Sequence, residues 1–146
     1  MKILQTRDTM SKTYLHAMKI RHQVFVKGQG IPRSRDLDKD EANCLHFVLY
    51  DDNNQAAATC RLLFSQTEKS ASLQRMAVLD KYQGHGLGNQ LLQYVCDFAK
   101  ERQIRSIKAH SQLSALPFYQ KNGFIPQGET FLDTGIEHLL VIKKLS

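Results

Sequence analysis

Gln83-Gly84-His85-Gly86-Leu87-Gly88-Asn89-Gln90-Leu91-Leu92 places glycine at three alternate positions and then runs straight into a helical pattern. Glycine costs backbone entropy on folding and offers no side chain to pack. Three of them at the mouth of a helix point to a backbone that something must approach closely. Upstream, Ser70 to Leu79 reads as a strand. Downstream, Leu87 to Gln103 is amphipathic, with Leu87, Leu91, Val95 and Phe98 on one stripe and Leu92, Cys96 and Ala99 beside it. A strand, a glycine loop and a helix in this order leave the first helical amides open beside the positive end of the dipole, which makes an anion site. The same glycines also suit a plain tight connection, and the loop alone leaves both readings open.

Outward from this unit, Lys2 to Thr6 reads as a short strand, and Thr9 to about Val26 as a helix capped by Asp8 or Thr9. Lys27 to Asn43, with Gly28, Gly30, Pro32 and mixed charges, reads as a loop with room for one helical turn. Leu45 to Tyr50 and Ala56 to Phe64 are strand-like and joined by Asp51-Asp52-Asn53-Asn54, a hairpin. Arg105 to His110 reads as a strand and Ser114 to Asn122 as a short helix, with Pro117 in its first turn and Gly123 as a left-handed cap. A last strand runs from about Glu137 to Leu145. The order β-α-β-β-β-α-β-α-β predicts an α/β fold: one mixed sheet with helices on both faces, in a single domain over 1–146.

Of the 146 residues, 42% are hydrophobic and 23% charged, an ordinary globular composition. No apolar run approaches the ~20 residues that span a bilayer. The N-terminus lacks the apolar core of a signal peptide, so the expected location is the cytoplasm. Cys44, Cys60 and Cys96 are odd in number and form no CxxC pair, which argues against a disulfide framework and against a zinc site; no metal is expected. The net charge of +6 fits a phosphate-bearing ligand or a solvated basic surface. Nucleic-acid binders cluster such charge on one face, whereas here it is spread along the chain.

Three phosphate loops compete for the glycines. A P-loop needs GxxxxGK[ST], and no Lys-Ser or Lys-Thr follows. A dinucleotide loop needs GxGxxG, but Gly84 to Asn89 gives GxGxGx, with no acidic ribose partner about twenty residues on. The third is the pyrophosphate loop of coenzyme A transferases. Leu73-Gln74-Arg75-Met76-Ala77-Val78-Leu79-Asp80-Lys81-Tyr82-Gln83-Gly84-His85-Gly86-Leu87-Gly88 resembles motif A of the GNAT superfamily of N-acetyltransferases, with Gln83, Gly86 and Gly88 in its key places. Ala115-Leu116-Pro117-Phe118-Tyr119-Gln120-Lys121-Asn122-Gly123-Phe124 resembles motif B at the usual distance downstream. The head Arg21 to Lys27 and the tail Phe131 to His138 look like the small ElaA-like branch.

The resemblance implies an acyl-CoA N-acyltransferase fold and an acetyl-CoA-dependent N-acetyltransferase acting on a primary amine of a small molecule or peptide. It implies a strand before the loop that bulges and splays from its neighbour. Met76, Ala77 and Val78 would line the pantetheine arm, and Gln83, Gly84, His85, Gly86, Leu87, Gly88 and Asn89 would take the pyrophosphate. Phe118 and Gln112 join the cofactor contacts; Gln112 stands where many relatives carry an asparagine. Tyr119 would protonate the departing sulfur; as plain packing, it would lie edge-on beside Phe118. Many relatives carry a catalytic glutamate where Gln74 stands, and glutamine cannot act as a base. His46 is the first choice for that role, ahead of His110, His138, Asp133, Glu41 and ordered water. A non-catalytic coenzyme A-binding module is the alternative. No nucleic acid or membrane partner is expected, and a homodimer is left open.

Overall fold

The computed structural model describes residues 1–145. Seven strands form the sheet: β1 (Lys2–Thr6), β2 (Leu45–Tyr50), β3 (Ala56–Phe64), β4 (Ser70–Val78), β5 (Ser106–Gln112), β6 (Ile125–Asp133) and β7 (Ile136–Lys144). Their order is β1-β2-β3-β4-β5-β7-β6. Only β4 and β5 are parallel; every other pair is antiparallel. A parallel pair needs a crossover, and α3 (Leu87–Glu101) supplies it.

Helices cover both faces. Leu91, Leu92, Val95 and Ala99 of α3 are buried against Phe47, Leu49, Leu62, Leu73, Ile107 and Val141 of the sheet. On the other face Ala17 and Ile20 of α1 (Lys12–Arg21) pack against Val48, Tyr50 and Ala77. Both β2 and β3 are buried almost throughout, as central strands must be.

Several boundaries depart from the sequence pattern for identifiable reasons. The first helix starts at Lys12 and not at Thr9, because the Ser11 side chain caps it by accepting from the Tyr14 amide at 3.1 Å. Asp8 instead accepts from the Met10 amide and holds the preceding turn. After Arg21 the chain widens into a π-helical stretch, His22–Lys27, and then a four-residue helix, α2 (Arg33–Asp36). Strand β6 has no counterpart in the sequence reading. It is an edge strand, mostly exposed, carrying Pro126 and Gly128 and a register shift between Gln127 and Phe131. Such a strand shows no alternation, and an edge tolerates the missing proline donor. The expected Ser114–Asn122 helix is a 3₁₀ turn, Leu113–Ala115, followed by α4 (Leu116–Lys121), and Gly123 has φ +89°.

Two irregularities shape the centre of the sheet. Strands β4 and β5 pair only from Ser70↔Ser106 to Leu73↔Ala109. Beyond that point β4 stays with β3 as far as Val78, and β5 stays with β7 as far as Gln112, so the sheet splits. Just past the last pair, β4 bulges. Between the pairs Thr59↔Ala77 and Arg61↔Gln74, the single β3 residue Cys60 stands against two of β4, Arg75 and Met76. Arg75 takes the strain with φ +57°. The extra residue resets the alternation: Leu73 and Met76 both meet the α3 face, while Gln74 and Arg75 both reach the face covered by α1 and α2.

The three cysteines are buried free thiols. Among the described residues no helix is long and apolar enough to cross a membrane.

Candidate active site

The split opens into a cleft of about 1010 Å³. Met76, Ala77, Val78, Gln83, Gly84, Gly86, Leu87, Gly88, Asn89, Gln112, Phe118 and Tyr119 all line it. His85 does not, although the loop on either side of it does.

The glycine loop is built to be open. A 3₁₀ turn, Asp80–Tyr82, leads out of β4, and the Gln83 side chain pins it by donating to the Val78 carbonyl at 3.2 Å. Gly84 and Gly86 have φ of +82° and +75°, and a Cβ added at either would touch nothing. Gly86 occupies the N-cap of α3 without any side-chain cap among the described residues, so no side chain satisfies the first amides of the helix. Gly88 serves a different purpose: a Cβ there would come within 3.2 Å of Phe118 Cε1 and 3.3 Å of Val78 Cγ2. Asn89 accepts from Asn122 at 2.8 Å and ties the helix start to α4.

Tyr119 is 6% exposed, with Phe118 and Phe124 edge-on to its ring at 5.2 and 5.4 Å. No described residue hydrogen-bonds its hydroxyl. Burial pushes the phenol well above its ordinary value, and Cys60 adds to the effect, so the group stays protonated through the neutral range.

The structure does not bring His46 to the cleft. It is 1% exposed on the α1 face, its Nε2 donates to the Glu41 carbonyl at 2.8 Å, and Tyr14 lies edge-on to its ring. Burial lowers its pKa. Glu41 also lies away from the cleft walls. Three other candidates from the sequence do line it: His110, His138 and Asp133. Phe131 ties the two histidines together, edge-on to His110 at 5.0 Å and stacked on His138 at 5.9 Å. His138 Nδ1 donates to the Ile136 carbonyl at 2.7 Å. His110 has no hydrogen-bond partner among the described residues. Partial desolvation lowers its pKa, opposed by the Asp133 charge. The Gln112 amide is engaged in a reciprocal pair with Gln29, at 2.9 and 3.3 Å, that bridges the cleft.

A buried ionic network flanks the bulge, and the sequence reading missed it. Arg21 binds Asp36 at 3.2 Å and Glu41 at 2.8 Å. Arg61 binds Glu41 at 2.8 Å, Asp38 at 2.7 Å and the Gln74 amide oxygen at 2.9 Å. Arg75 closes it through Asp38 at 3.2 Å. Burial opposes ionisation of Asp38, but the Arg61 hydrogen bond and charge outweigh it and hold the carboxyl at about 2. A signal was present: Arg61 is the one charge in the otherwise uncharged strand AAATCRLLF, and an arginine in a central strand must find partners.

A mixed sheet split between two parallel strands, with an uncapped glycine-rich helix start at the mouth of the split, is the acyl-CoA N-acyltransferase fold. A family model described as an acetyltransferase (GNAT) domain matches residues 21–145. The chain belongs to the GNAT acetyltransferase family. It is 30% identical over 143 residues to the uncharacterised protein YyaT of Bacillus subtilis, covering 96% of this chain and 95% of that one. A crystal structure from Lactobacillus plantarum, an N-acetyltransferase by assignment alone, superposes with a TM-score of 0.90 at 27% identity, covering 99% and 98% of the two chains. Escherichia coli ElaA superposes with a TM-score of 0.85 at 22% identity, covering 98% and 99%.

Proposed function

We propose that the chain transfers an acetyl group from acetyl-CoA to a primary amine by direct attack in a ternary complex. The observation that carries the reading is the open start of α3 at the mouth of the β4–β5 split. No side chain among the described residues caps the amides there, glycine removes every obstructing Cβ at Gly84 and Gly86, and a cleft leads inward from them. In this reading the loop from Gln83 to Asn89 holds the pyrophosphate. Met76, Ala77 and Val78 line the pantetheine arm, with Phe118 and Gln112 beside it.

The amine lone pair attacks the thioester carbonyl carbon and a C–N bond forms. Collapse of the tetrahedral species breaks the C–S bond and releases a thiolate. The nitrogen must lose one proton and the sulfur must gain one, so the site needs a base and an acid. Tyr119 is the acid, being held protonated on the cleft wall. His110 is the base. It lies one residue beyond the last β4–β5 pair, opposite in alternation to the core residue Ala109, and its lowered pKa keeps the imidazole neutral at pH 7.

The test is acetyl-CoA-dependent thiol release across a panel of amines. The wild-type rate should rise with pH through a midpoint below 6.5, the ordinary histidine value. His110→Asn should remove that limb and lower turnover about 10²- to 10⁴-fold. A limb unchanged in the variant assigns the base elsewhere. Acetyl-CoA binding with no thiol release on any amine would leave a non-catalytic coenzyme A-binding module.

A further inference from the structure

We infer that the amine acceptor carries a carboxylate and that Arg75 binds it. The inference rests on the transferase reading above and names the acceptor class for the same cleft.

The bulge makes the position. In an unbroken pleat Gln74 and Arg75 would face opposite sides of the sheet. The extra residue turns Arg75 onto the face of α1 and α2, where it lines the cleft one residue before Met76. A left-handed φ of +57° is costly for an arginine, so the surroundings must hold the side chain there. They do so through Nε, which donates to the Asp36 carbonyl at 3.3 Å, and Nη2, which donates to the Arg35 carbonyl at 3.1 Å and to Asp38 at 3.2 Å.

Of the three guanidinium groups in the network, only Arg75 keeps a nitrogen without a partner among the described residues. Arg21 and Arg61 use all three of theirs. Arg75 Nη1 has none, on a side chain 27% exposed to the cleft. The nearby Asp38 and Glu41 cannot serve an incoming ammonium equally well. Each Asp38 oxygen already accepts from two donors, Glu41 Oε1 from two and Glu41 Oε2 from three. Burial and the charges of Arg61 and Arg21 destabilise the Arg75 cation, which an added anion would relieve. Three further cleft cations, Arg35 on α2, Lys108 on β5 and Lys121 on α4, form no salt bridge among the described residues. Beside the bulge the cleft thus offers a held guanidinium with one donor nitrogen without a partner among the described residues, the group that takes a carboxylate.

The experiment uses matched pairs: α-amino acids of different side chains, each against its own carboxamide, assayed by thiol release with saturating acetyl-CoA. Acetyl-CoA affinity is measured first by calorimetry. The expected result is a kcat/KM at least about 10-fold higher for the carboxylate member of a reactive pair. Arg75→Lys and Arg75→Gln should bring that ratio toward one. Because Arg75 also braces the network, a variant can fail to fold. Wild-type protein alone then decides, through competition by propionate against propionamide at the acceptor site, with propionate expected to inhibit at about 10-fold lower concentration. Failure to bind acetyl-CoA, or binding with no thiol release on any amine, sinks the transferase reading itself. Binding with equal or better turnover of carboxamides, with a ratio unmoved by both folded variants, or with no carboxylate-bearing amine reacting, overturns this inference alone.

Discussion

Gly88 and Phe118 meet so closely that a single added methyl group would press on the aromatic ring at 3.2 Å and on Val78 at 3.3 Å. The third glycine of the loop is therefore where α3, α4 and β4 touch, and the first two are where the loop opens. Gly88→Ala should force Phe118 outward and lower stability by about 1 kcal/mol or more, as overpacking does. Because Phe118 lines the cleft, acetyl-CoA affinity should fall with it. A denaturant melt and calorimetry on the same sample check both; a fully stable variant would mean the ring moves freely.

Gly86 separates two effects that valine would merge. Its φ of +75° strains any β-branched residue, and a Cβ there points into open space over the helix start. Gly86→Val should lose about 1–3 kcal/mol of stability and most of its acetyl-CoA affinity. Gly86→Asn tolerates the left-handed backbone and should keep most of the stability. It should still bind acetyl-CoA poorly, because its side chain would occupy the position proposed for the pyrophosphate. An asparagine variant with unchanged affinity would remove the pyrophosphate from this loop.

The elements that could be read from the sequence are those whose residues alone set them. The strands β2 and β3 were legible because each is mostly apolar and bounded by turn residues. The glycine loop was legible because three glycines at the mouth of a helix mark a backbone that must stay clear of side chains, open at Gly84 and Gly86 and closely packed at Gly88. The edge strand β6 was not, since exposure removes the alternation that marks a strand. The bulge at Arg75 was not, because it depends on how β3 and β4 align. His46, His110 and His138 all lie on the sheet face opposite α3, so the choice among them depends on what covers that face at each strand, and that follows from long-range packing. The sequence placed His46 on the right strand and could not show that α1 and the Glu41 carbonyl would bury it.

His46 should therefore act on stability and not on turnover. Its folded pKa lies below the ordinary 6.5 because burial penalises the cation. The unfolded chain then binds more protons just below pH 6.5, so stability rises with pH through that window and is lost as pH falls. His46→Gln should flatten this dependence and cost about 1–3 kcal/mol at pH 7.5 through the lost bond to Glu41. Its pH–rate profile should match wild type. Melts and rates measured across pH 5 to 8 decide; a lost kinetic limb would restore His46 to the chemistry.

Tyr119→Phe tests the acid. The phenylalanine ring keeps the edge contacts to Phe118 and Phe124, and the hydroxyl has no described partner to lose. Stability should change by less than about 1 kcal/mol. If the hydroxyl protonates the departing thiolate, its loss removes an interaction made chiefly in the transition state. Turnover should then fall about 10- to 1,000-fold with acetyl-CoA affinity unchanged. The raised phenol pKa adds a second mark. Ionisation of Tyr119 should cause no alkaline loss of activity below pH 10, the ordinary tyrosine value, and any decline seen below it should persist in the variant. Wild-type turnover in Tyr119→Phe would overturn the assignment. A fall in turnover matched by an equal fall in melting stability would make Tyr119 a packing residue, because a deleted proton donor leaves the core intact.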